Sequence, residues 1–223
     1  MSDPNVIRLR RLDACAVSDA LDKLGLGGVV TGLPQRSGPG RIAGRAVTMK
    51  IGPGQPPAGQ PKHLGCTAIE QSDADNIIVV EQRSGVEAGC WGGLLTLGAK
   101  VRGAAGVVAD GPLRDVDEAM AYDFPVFSRS LTSRTARGRV VELGVQIPVT
   151  IGAALGGEVT VQPGDYVLAD RSAVIFIAAA DIERVLEAGE MIVAKEAAMA
   201  KAIRAGTPIG EVMGGNYEHM LEQ

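Results

Sequence analysis

The sequence is poor in aromatic residues, cysteine and histidine. Aromatic side chains make up 3% of the 223 residues, so stacking platforms for nucleic-acid bases are not expected. The three cysteines, Cys15, Cys66 and Cys90, are an odd number at wide spacing, which fits neither a disulfide framework nor a paired-cysteine zinc site. Buried free thiols are the simplest interpretation. His63 and His219 have no Ser, Cys or His partner nearby in the sequence, and we assign neither a role.

The sequence also lacks an excess of positive charge and a long apolar run. Lys and Arg number 22 against 26 Asp and Glu, a net charge of −4, which disfavours binding to a phosphate backbone. No uninterrupted apolar stretch approaches the roughly 20 residues that a membrane-spanning helix needs. The N-terminus lacks the basic-then-apolar order of a secretory signal. We therefore expect a cytoplasmic protein without nucleic-acid or membrane partners.

Small and aliphatic residues dominate instead. Hydrophobic residues make up 46% of the chain and glycine numbers 30, a composition typical of close packing between helices and a sheet. No internal repeat or low-complexity linker marks a domain boundary. We expect one α/β domain over residues 1–223.

Hydrophobic spacing predicts a βαβ unit in the middle of the chain. Residues 76–80 and 105–109 have the short apolar pattern of buried strands, and residues 89–103 have a helix-compatible composition. Such a unit has parallel strands, and ligands gather beyond their carboxyl ends. The loops 84–93 and 110–115 lie at those ends.

The remaining predicted elements flank this unit. They are an amphipathic helix within 11–24, a strand at 41–51, extended segments at 124–127 and 140–151, strands on either side of a turn at 163–165, and a long helix over 181–205. A Gly- and Pro-rich loop follows residue 51. Long structureless loops are often functional, but a surface excursion or an oligomer contact explains this one equally well.

The most informative motif is Arg114-Asp115, directly after the second buried strand. The guanidinium of Arg114 matches a carboxylate bidentately, and Asp115 can supply a hard oxygen ligand to Mg²⁺ or Mn²⁺. Together they could bind a 2-oxo acid. The alternative is a surface turn with an Arg–Asp ion pair and Asp115 as a helix cap. Asp110 on the same loop could orient Arg114 or cap the turn.

A second motif is the glycine-rich loop before the predicted helix. Gly92, Gly93 and Leu94 would leave backbone N–H groups open to a carboxylate or an enolate at the positive end of the helix. Close backbone packing is the alternative explanation for glycines at this place.

A basic segment follows the strand that ends at residue 127. It contains four arginines among hydroxyl side chains: Arg129, Arg134, Arg137 and Arg139. These arginines could recognise a distal carboxylate of the substrate. A solvated basic loop is the simpler alternative.

The segment GGLLTLGAKVRGAAGVVADGPLRDVDE, residues 92–118, resembles the signature of the RraA-like family, which includes 4-hydroxy-4-methyl-2-oxoglutarate/4-carboxy-4-hydroxy-2-oxoadipate aldolases. The opening DACAVSDALDKLG, the strand GRAVTMK and the segment at 147–177 are similar to that family in order and character. The resemblance covers most of the chain. It implies a layered α/β/α sandwich of the swivelling-domain type, assembled as a homotrimer or homohexamer with active sites between subunits.

The resemblance also implies roles for particular residues. Asp115 would hold a divalent metal, Mg²⁺ or Mn²⁺, and Arg114 would bind the carboxylate and keto oxygens of the substrate. The amides of Gly92, Gly93 and Leu94 would complete the pyruvate pocket. A glutamate on the last helix, at about 181–205, would reach the site of a neighbouring subunit. Glu196 is our first candidate for it and Glu190 our second, although a solvated helical glutamate is the alternative for each.

One residue departs from the family pattern. The aldolases usually carry an acid where this sequence has Gly93, and that acid helps a metal-bound water to remove the proton from the tertiary hydroxyl of the substrate, a general-base role. Decarboxylation of oxaloacetate forms the same pyruvate enolate without removing a hydroxyl proton. The sequence therefore predicts that decarboxylase activity survives better than aldolase activity.

The predicted function is a metal-dependent lyase acting on a 2-oxo acid, with Arg114, Asp115 and Glu196 as its catalytic residues. Because the family also contains inhibitors of a ribonuclease complex, a non-catalytic regulator that binds a protein partner of RNA processing is the alternative. A methyltransferase, another description given to such sequences, is not supported, because no glycine-rich adenosyl-binding loop follows the first strand.

Overall fold

The computed structural model describes residues 2–59 and 62–214. Its helices are α1 (Pro4–Leu9), α2 (Ala14–Leu24), α3 (Cys66–Glu70), α4 (Gly93–Arg102), α5 (Val116–Ala121), α6 (Ile182–Arg204) and α7 (Ile209–Val212). Its strands are β1 (Val29–Val30), β2 (Gln35–Ser37), β3 (Ile42–Pro53), β4 (Asn76–Glu81), β5 (Gly106–Leu113), β6 (Val126–Leu131), β7 (Val140–Val145), β8 (Val149–Gly152), β9 (Glu158–Val161), β10 (Tyr166–Ala169) and β11 (Val174–Ile177).

Nine strands form one mixed sheet in the order β1-β11-β10-β3-β4-β5-β6-β2, with β7 beside the second half of β3. The four central strands β3, β4, β5 and β6 run parallel, and the flanking strands are antiparallel to their neighbours. The predicted βαβ unit is therefore confirmed as β4–α4–β5. Its two strands end at the same edge of the sheet.

Helices α1 to α6 lie on one face of the sheet. In β3, Ala43 and Val47 point to the same side because side chains alternate along a strand. Val47 packs in a cluster with residues of α3, α4 and α5, and Ala43 packs in a cluster with residues of α1, α2 and α6. The two groups of helices therefore cover neighbouring halves of one face.

The other face of the sheet is covered by the hairpin of β8 and β9. Val149, Ile151 and Val161 of the hairpin are buried against alternate residues of the central strands, such as Ile77 and Val79 of β4. Within the described residues, this cluster contains no helical side chain. The predicted α/β architecture is confirmed, and the layer opposite the helices is the β8–β9 hairpin, in which alternate residues such as Val149 and Ile151 are buried.

Several predicted elements shift at their ends. The opening helix begins at Ala14, where Asp13 accepts a hydrogen bond from the amide of Ala16 and caps it. The predicted helix at 181–205 corresponds to α6, and no described helix is long and apolar enough to cross a membrane. His219 and the rest of the tail after Gly214 lie outside the described residues.

Candidate active site

Arg114 and Asp115 lie where the chain leaves the sheet at the carboxyl end of β5. The glycine-rich loop runs beside this end, because the amide of Cys90 donates to the carbonyl of Pro112 (2.9 Å) and the amide of Arg114 donates to the carbonyl of Trp91 (2.9 Å). Trp91 and Leu113 form a parallel bridge and are buried. The two predicted motifs are thus held side by side by backbone hydrogen bonds.

Asp115 has a left-handed backbone, with φ at 55° and ψ at 43°. Aspartate tolerates this region better than most residues because its short polar side chain can bond locally. The predicted alternative of a helix cap does not hold, because the side chain of Asp115 caps no amide of α5. Instead Oδ2 of Asp115 accepts a hydrogen bond from the amide of Gly93, at 3.1 Å. The carboxylate is therefore directed at the start of α4.

Glycine is needed in the loop because side chains of the other motif come very close to it. A Cβ at Gly89 would lie 2.3 Å from Cγ of Arg114, and a Cβ at Gly92 would lie 3.0 Å from Oδ2 of Asp115. The indole of Trp91 donates to the hydroxyl of Thr96 (3.1 Å), which fixes the loop to the first turn of α4. Close packing, one of the two explanations that the sequence left open, is therefore present, and the amide of Gly93 is bonded to Asp115 instead of being open to a ligand.

The guanidinium of Arg114 makes no close ion pair with Asp115. Its closest approach to Asp115 is 3.8 Å, between a terminal nitrogen and Oδ1. Its Nε is buried and has no hydrogen-bond partner in the described part of the chain. A buried N–H donor left unpaired costs free energy, which a ligand carboxylate would recover.

A cavity of about 490 Å³ opens beside these groups. Its walls include Arg114, Asp115 and the stretch from Gly89 to Leu95, so the structure brings Gly92, Gly93 and Leu94 together with the Arg-Asp pair. Two further residues on its walls, His63 and Arg137, come from distant parts of the sequence.

Comparisons with known proteins identify the family. A sequence profile described as RraA-like, Aldolase/RraA, matches residues 14–176. The chain belongs to the RraA-like family.

Two curated proteins are similar to this chain over most of its length. Protein DlpA of Legionella pneumophila is 27% identical over 207 residues, which cover 92% of this chain and 33% of the relative, so the chain spans about a third of that protein. A protein of Halalkalibacterium halodurans named "Putative 4-hydroxy-4-methyl-2-oxoglutarate aldolase" is 26% identical over 199 residues, covering 89% of this chain and 88% of the relative.

Solved structures share the RraA-like fold. An uncharacterized protein from Pseudomonas syringae has a TM-score of 0.80 at 26% identity, covering 94% of this chain and 96% of the other. Streptomyces coelicolor RraAS2, described as an unusual member of the RNase ES inhibitor RraA protein family, has a TM-score of 0.73 at 20% identity, covering 93% and 98%. At that identity the second likeness shows the fold alone.

Among the described residues, one of the four arginines in the basic segment lines the cavity beside Arg114 and Asp115. Arg137 does so, whereas Arg134 pairs with Glu87 and Arg139 donates to the carbonyl of Thr135. Arg129 donates to Asp110 at 2.8 Å. Arg137 is the one member of the segment placed to meet a ligand in this cavity.

Asp110 does not orient Arg114, one of its two predicted roles. It is 4% exposed, accepts from Nε of Arg129 and accepts from the amide of Gly152 at 2.7 Å. It also lies 3.5 Å from Arg83. Asp110 therefore ties β5 to β6 and β8.

The two candidate glutamates lie away from the cavity of their own chain. Glu196 is exposed on α6, where partial desolvation and then the charges of Asp13 and Asp19 raise its pKa. Glu190 accepts two hydrogen bonds from Arg8, which lower its pKa. A role for either glutamate therefore requires a second subunit and stays a prediction.

The residues around Asp115 fit a weakly chelated divalent cation. Among the described residues no group of three or more His, Cys, Asp or Glu side chains could hold a metal ion. Mg²⁺ and Mn²⁺ are commonly held by one or two carboxylates, with water and substrate oxygens as the other ligands. The carboxylate of Asp115 is exposed on the cavity wall, where water and substrate oxygens can reach it.

Glu118 is a neighbour of Asp115 that was not among the predicted site residues. It lies in the first turn of α5, and its Oε2 is 1.8 Å from the point that a Cβ on Gly93 would occupy. Its spacing of three residues from Asp115 could have suggested a shared helical face. The approach to Gly93 depends on how α4 and α5 pack, and no local pattern encodes it.

Proposed function

We propose that this RraA-like chain is a divalent-metal-dependent lyase of 2-oxo acids. It would form pyruvate enolate by retro-aldol cleavage of a 4-hydroxy-2-oxo diacid, by decarboxylation of oxaloacetate, or both. The observation that carries the proposal is the pairing of Arg114, whose buried Nε has no described partner, with Asp115 on the wall of one cavity. A relative named as an aldolase supports the reaction class.

Arg114 binds the carboxylate of the substrate. Its guanidinium can donate two parallel hydrogen bonds to the planar group, which fixes the adjacent keto carbon in one orientation. The side chain is one-third exposed, so it reaches the cavity while its stem stays packed against Gly89. Lysine would keep the charge and lose the planar fork.

The first turn of α4 stabilises the negative charge that develops on the keto oxygen. Gly92 and Leu94 line this end of the cavity, and the N–H groups at the start of a helix have no acceptor within that helix. The amide of Gly93 holds Asp115 in place by its hydrogen bond. A divalent cation bound at Asp115 would supply a Lewis acid for the same oxygen.

The test is pyruvate release from oxaloacetate and from 4-hydroxy-4-methyl-2-oxoglutarate. We expect release with Mg²⁺ or Mn²⁺ above the rate without protein, loss on chelation, and recovery when the metal is returned. Asp115→Asn should reduce the rate by at least about 100-fold, since a charge that stabilises the transition state is lost. Asparagine is chosen because it tolerates the left-handed backbone that alanine resists.

Asp117→Asn is the matched control, because Asp117 lies exposed on the same helix and does not line the cavity. Mn²⁺ binding, measured by calorimetry, should be lost in Asp115→Asn and retained in Asp117→Asn. If neither substrate yields pyruvate and Mn²⁺ does not bind, the lyase is wrong and a regulator that binds a protein partner becomes the better hypothesis.

A further inference from the structure

The carboxylate of Glu118 occupies the volume of a side chain at residue 93. Its Oε2 lies 1.8 Å, and Cβ of Asp115 lies 3.3 Å, from the position that a Cβ on Gly93 would take. Two atoms cannot share that volume, so the glutamate adopts this position only because residue 93 is glycine. Gly93 and Glu118 are complementary in shape.

This carboxylate is available for chemistry. Glu118 is exposed, and its side chain makes no hydrogen bond or ion pair with another described residue. It lies against Gly93, whose backbone forms part of the cavity wall beside Asp115. The atoms nearest to the Cβ position of Gly93 belong to Glu118 and Asp115, whereas the neighbouring Asp117 lies about 100° further around α5 and is not among them.

We infer that Glu118 is the general base for aldol cleavage in this protein, an inference that rests on the proposed lyase function. Glu118 accepts the proton of the C4 hydroxyl, and the electron pair of the O–H bond forms the C4 carbonyl as the C3–C4 bond breaks. The electrons of the C3–C4 bond form a C2=C3 double bond, and the C2 carbonyl pair moves to the keto oxygen to give the enolate of pyruvate. Protonated Glu118 then returns the proton to C3, which completes pyruvate and restores the carboxylate.

Decarboxylation makes a smaller demand on the same residue. In oxaloacetate the C3–C4 bond breaks with loss of CO₂, and no hydroxyl proton has to be removed before the enolate forms. Protonation of C3 can come from solvent. Glycine at residue 93 therefore makes room for a base supplied by α5, and aldol cleavage is retained.

The experiment compares both reactions in one set of variants. Glu118→Gln should lower the ratio of cleavage to decarboxylation by about 100-fold, because a positioned general base contributes at least this much. Gly93→Ala should lower the ratio as well, since its Cβ displaces the carboxylate. Asp117→Asn, the matched control, should leave the ratio unchanged. Measurable decarboxylation in each variant shows that the protein is folded.

A double variant that relocates the carboxylate provides the decisive test. Gly93→Asp combined with Glu118→Ala moves the carboxylate from α5 to α4 at nearly the same point, and it should recover cleavage relative to Glu118→Ala alone. If wild type cleaves the hydroxylated substrate and Glu118→Gln cleaves it equally well, the assignment of Glu118 is wrong while the lyase stands. The assignment is also wrong if wild type only decarboxylates. If wild type performs neither reaction, the proposed function itself fails.

Discussion

At the scale of single residues, the position of Arg114 depends on the absence of one carbon atom at Gly89. Gly89→Ala would place a Cβ 2.3 Å from Cγ of Arg114, so the guanidinium must move. We expect pyruvate release to fall by about 100-fold, the typical cost of misplacing a binding group by about 1 Å. Steady-state rates with oxaloacetate check this. Gly27→Ala, which meets no atom within 4 Å, is the control and should retain full activity.

Cys90 predicts a pH dependence of stability. Its thiol is fully buried, and burial raises its pKa from 9.0 to about 12. Above pH 9 the unfolded chain loses this proton while the folded chain retains it. The free energy of unfolding should therefore fall by about 1.4 kcal/mol for each pH unit between about 9 and 12.

Urea unfolding of wild type and Cys90→Ala at pH 8, 9 and 10 measures the contribution of the thiol to the free energy of unfolding. The difference in stability between the two proteins should be constant up to about pH 9 and shrink above it, since only wild type carries the thiol. A difference that does not change between pH 9 and 10 would show that the thiol ionises in the folded state.

The site residues that lie next to one another in the sequence could be predicted. Arg114 and Asp115 follow a buried strand directly, so strand pattern and residue chemistry together pointed to a shared cavity. His63 and Glu118 reach the same region through tertiary packing, which periodicity does not encode. The helix cap, the alternative interpretation of Asp115, does not hold, because its carboxylate accepts from the amide of Gly93 and from no amide of α5.

At the scale of elements, α4 and α6 each contain an interior glycine in a different environment. Gly98→Ala adds a Cβ 3.6 Å from Ile69, an ordinary contact, and should stabilise the protein by about 0.5–1 kcal/mol. Gly189→Ala adds a Cβ 2.9 Å from Leu12, which has to move, so the gain should be smaller or absent. Chemical denaturation of both variants measures the difference. Equal stabilisation would show that Leu12 adjusts freely.

The βαβ unit and the long α6 were predictable because their patterns are local and strong. The layer opposite the helices was harder to foresee, since strands at 149–152 and 158–161 could have joined the main sheet or formed a separate pair. Pairing partners depend on the whole sheet, and short strands carry little information about it. The alternation of buried residues along them was nevertheless visible.

At the scale of the whole molecule, we expect a homotrimer or homohexamer in which α6 of one subunit reaches the cavity of another. Light scattering should then give three or six times the chain mass of 23.0 kDa. Mixing Asp115→Asn with Glu196→Gln, after dissociation and reassembly, should recover part of the activity, because some sites receive both native residues. Asp115→Asn mixed with Glu190→Gln tests the second candidate. A monomeric chain with full activity would contradict the shared site.

The bonds of Asp110 have a consequence for local unfolding. Lifting the β8–β9 hairpin from the sheet would strip a buried carboxylate of the Gly152 amide, and water would have to enter among apolar side chains to replace it. Such an opening costs far more than the fraying of an ordinary surface hairpin. Hydrogen exchange at the amide of Gly152 should accordingly be as slow as in the central strands. The β8–β9 hairpin and the end of β5 that carries Arg114 should therefore open together or not at all.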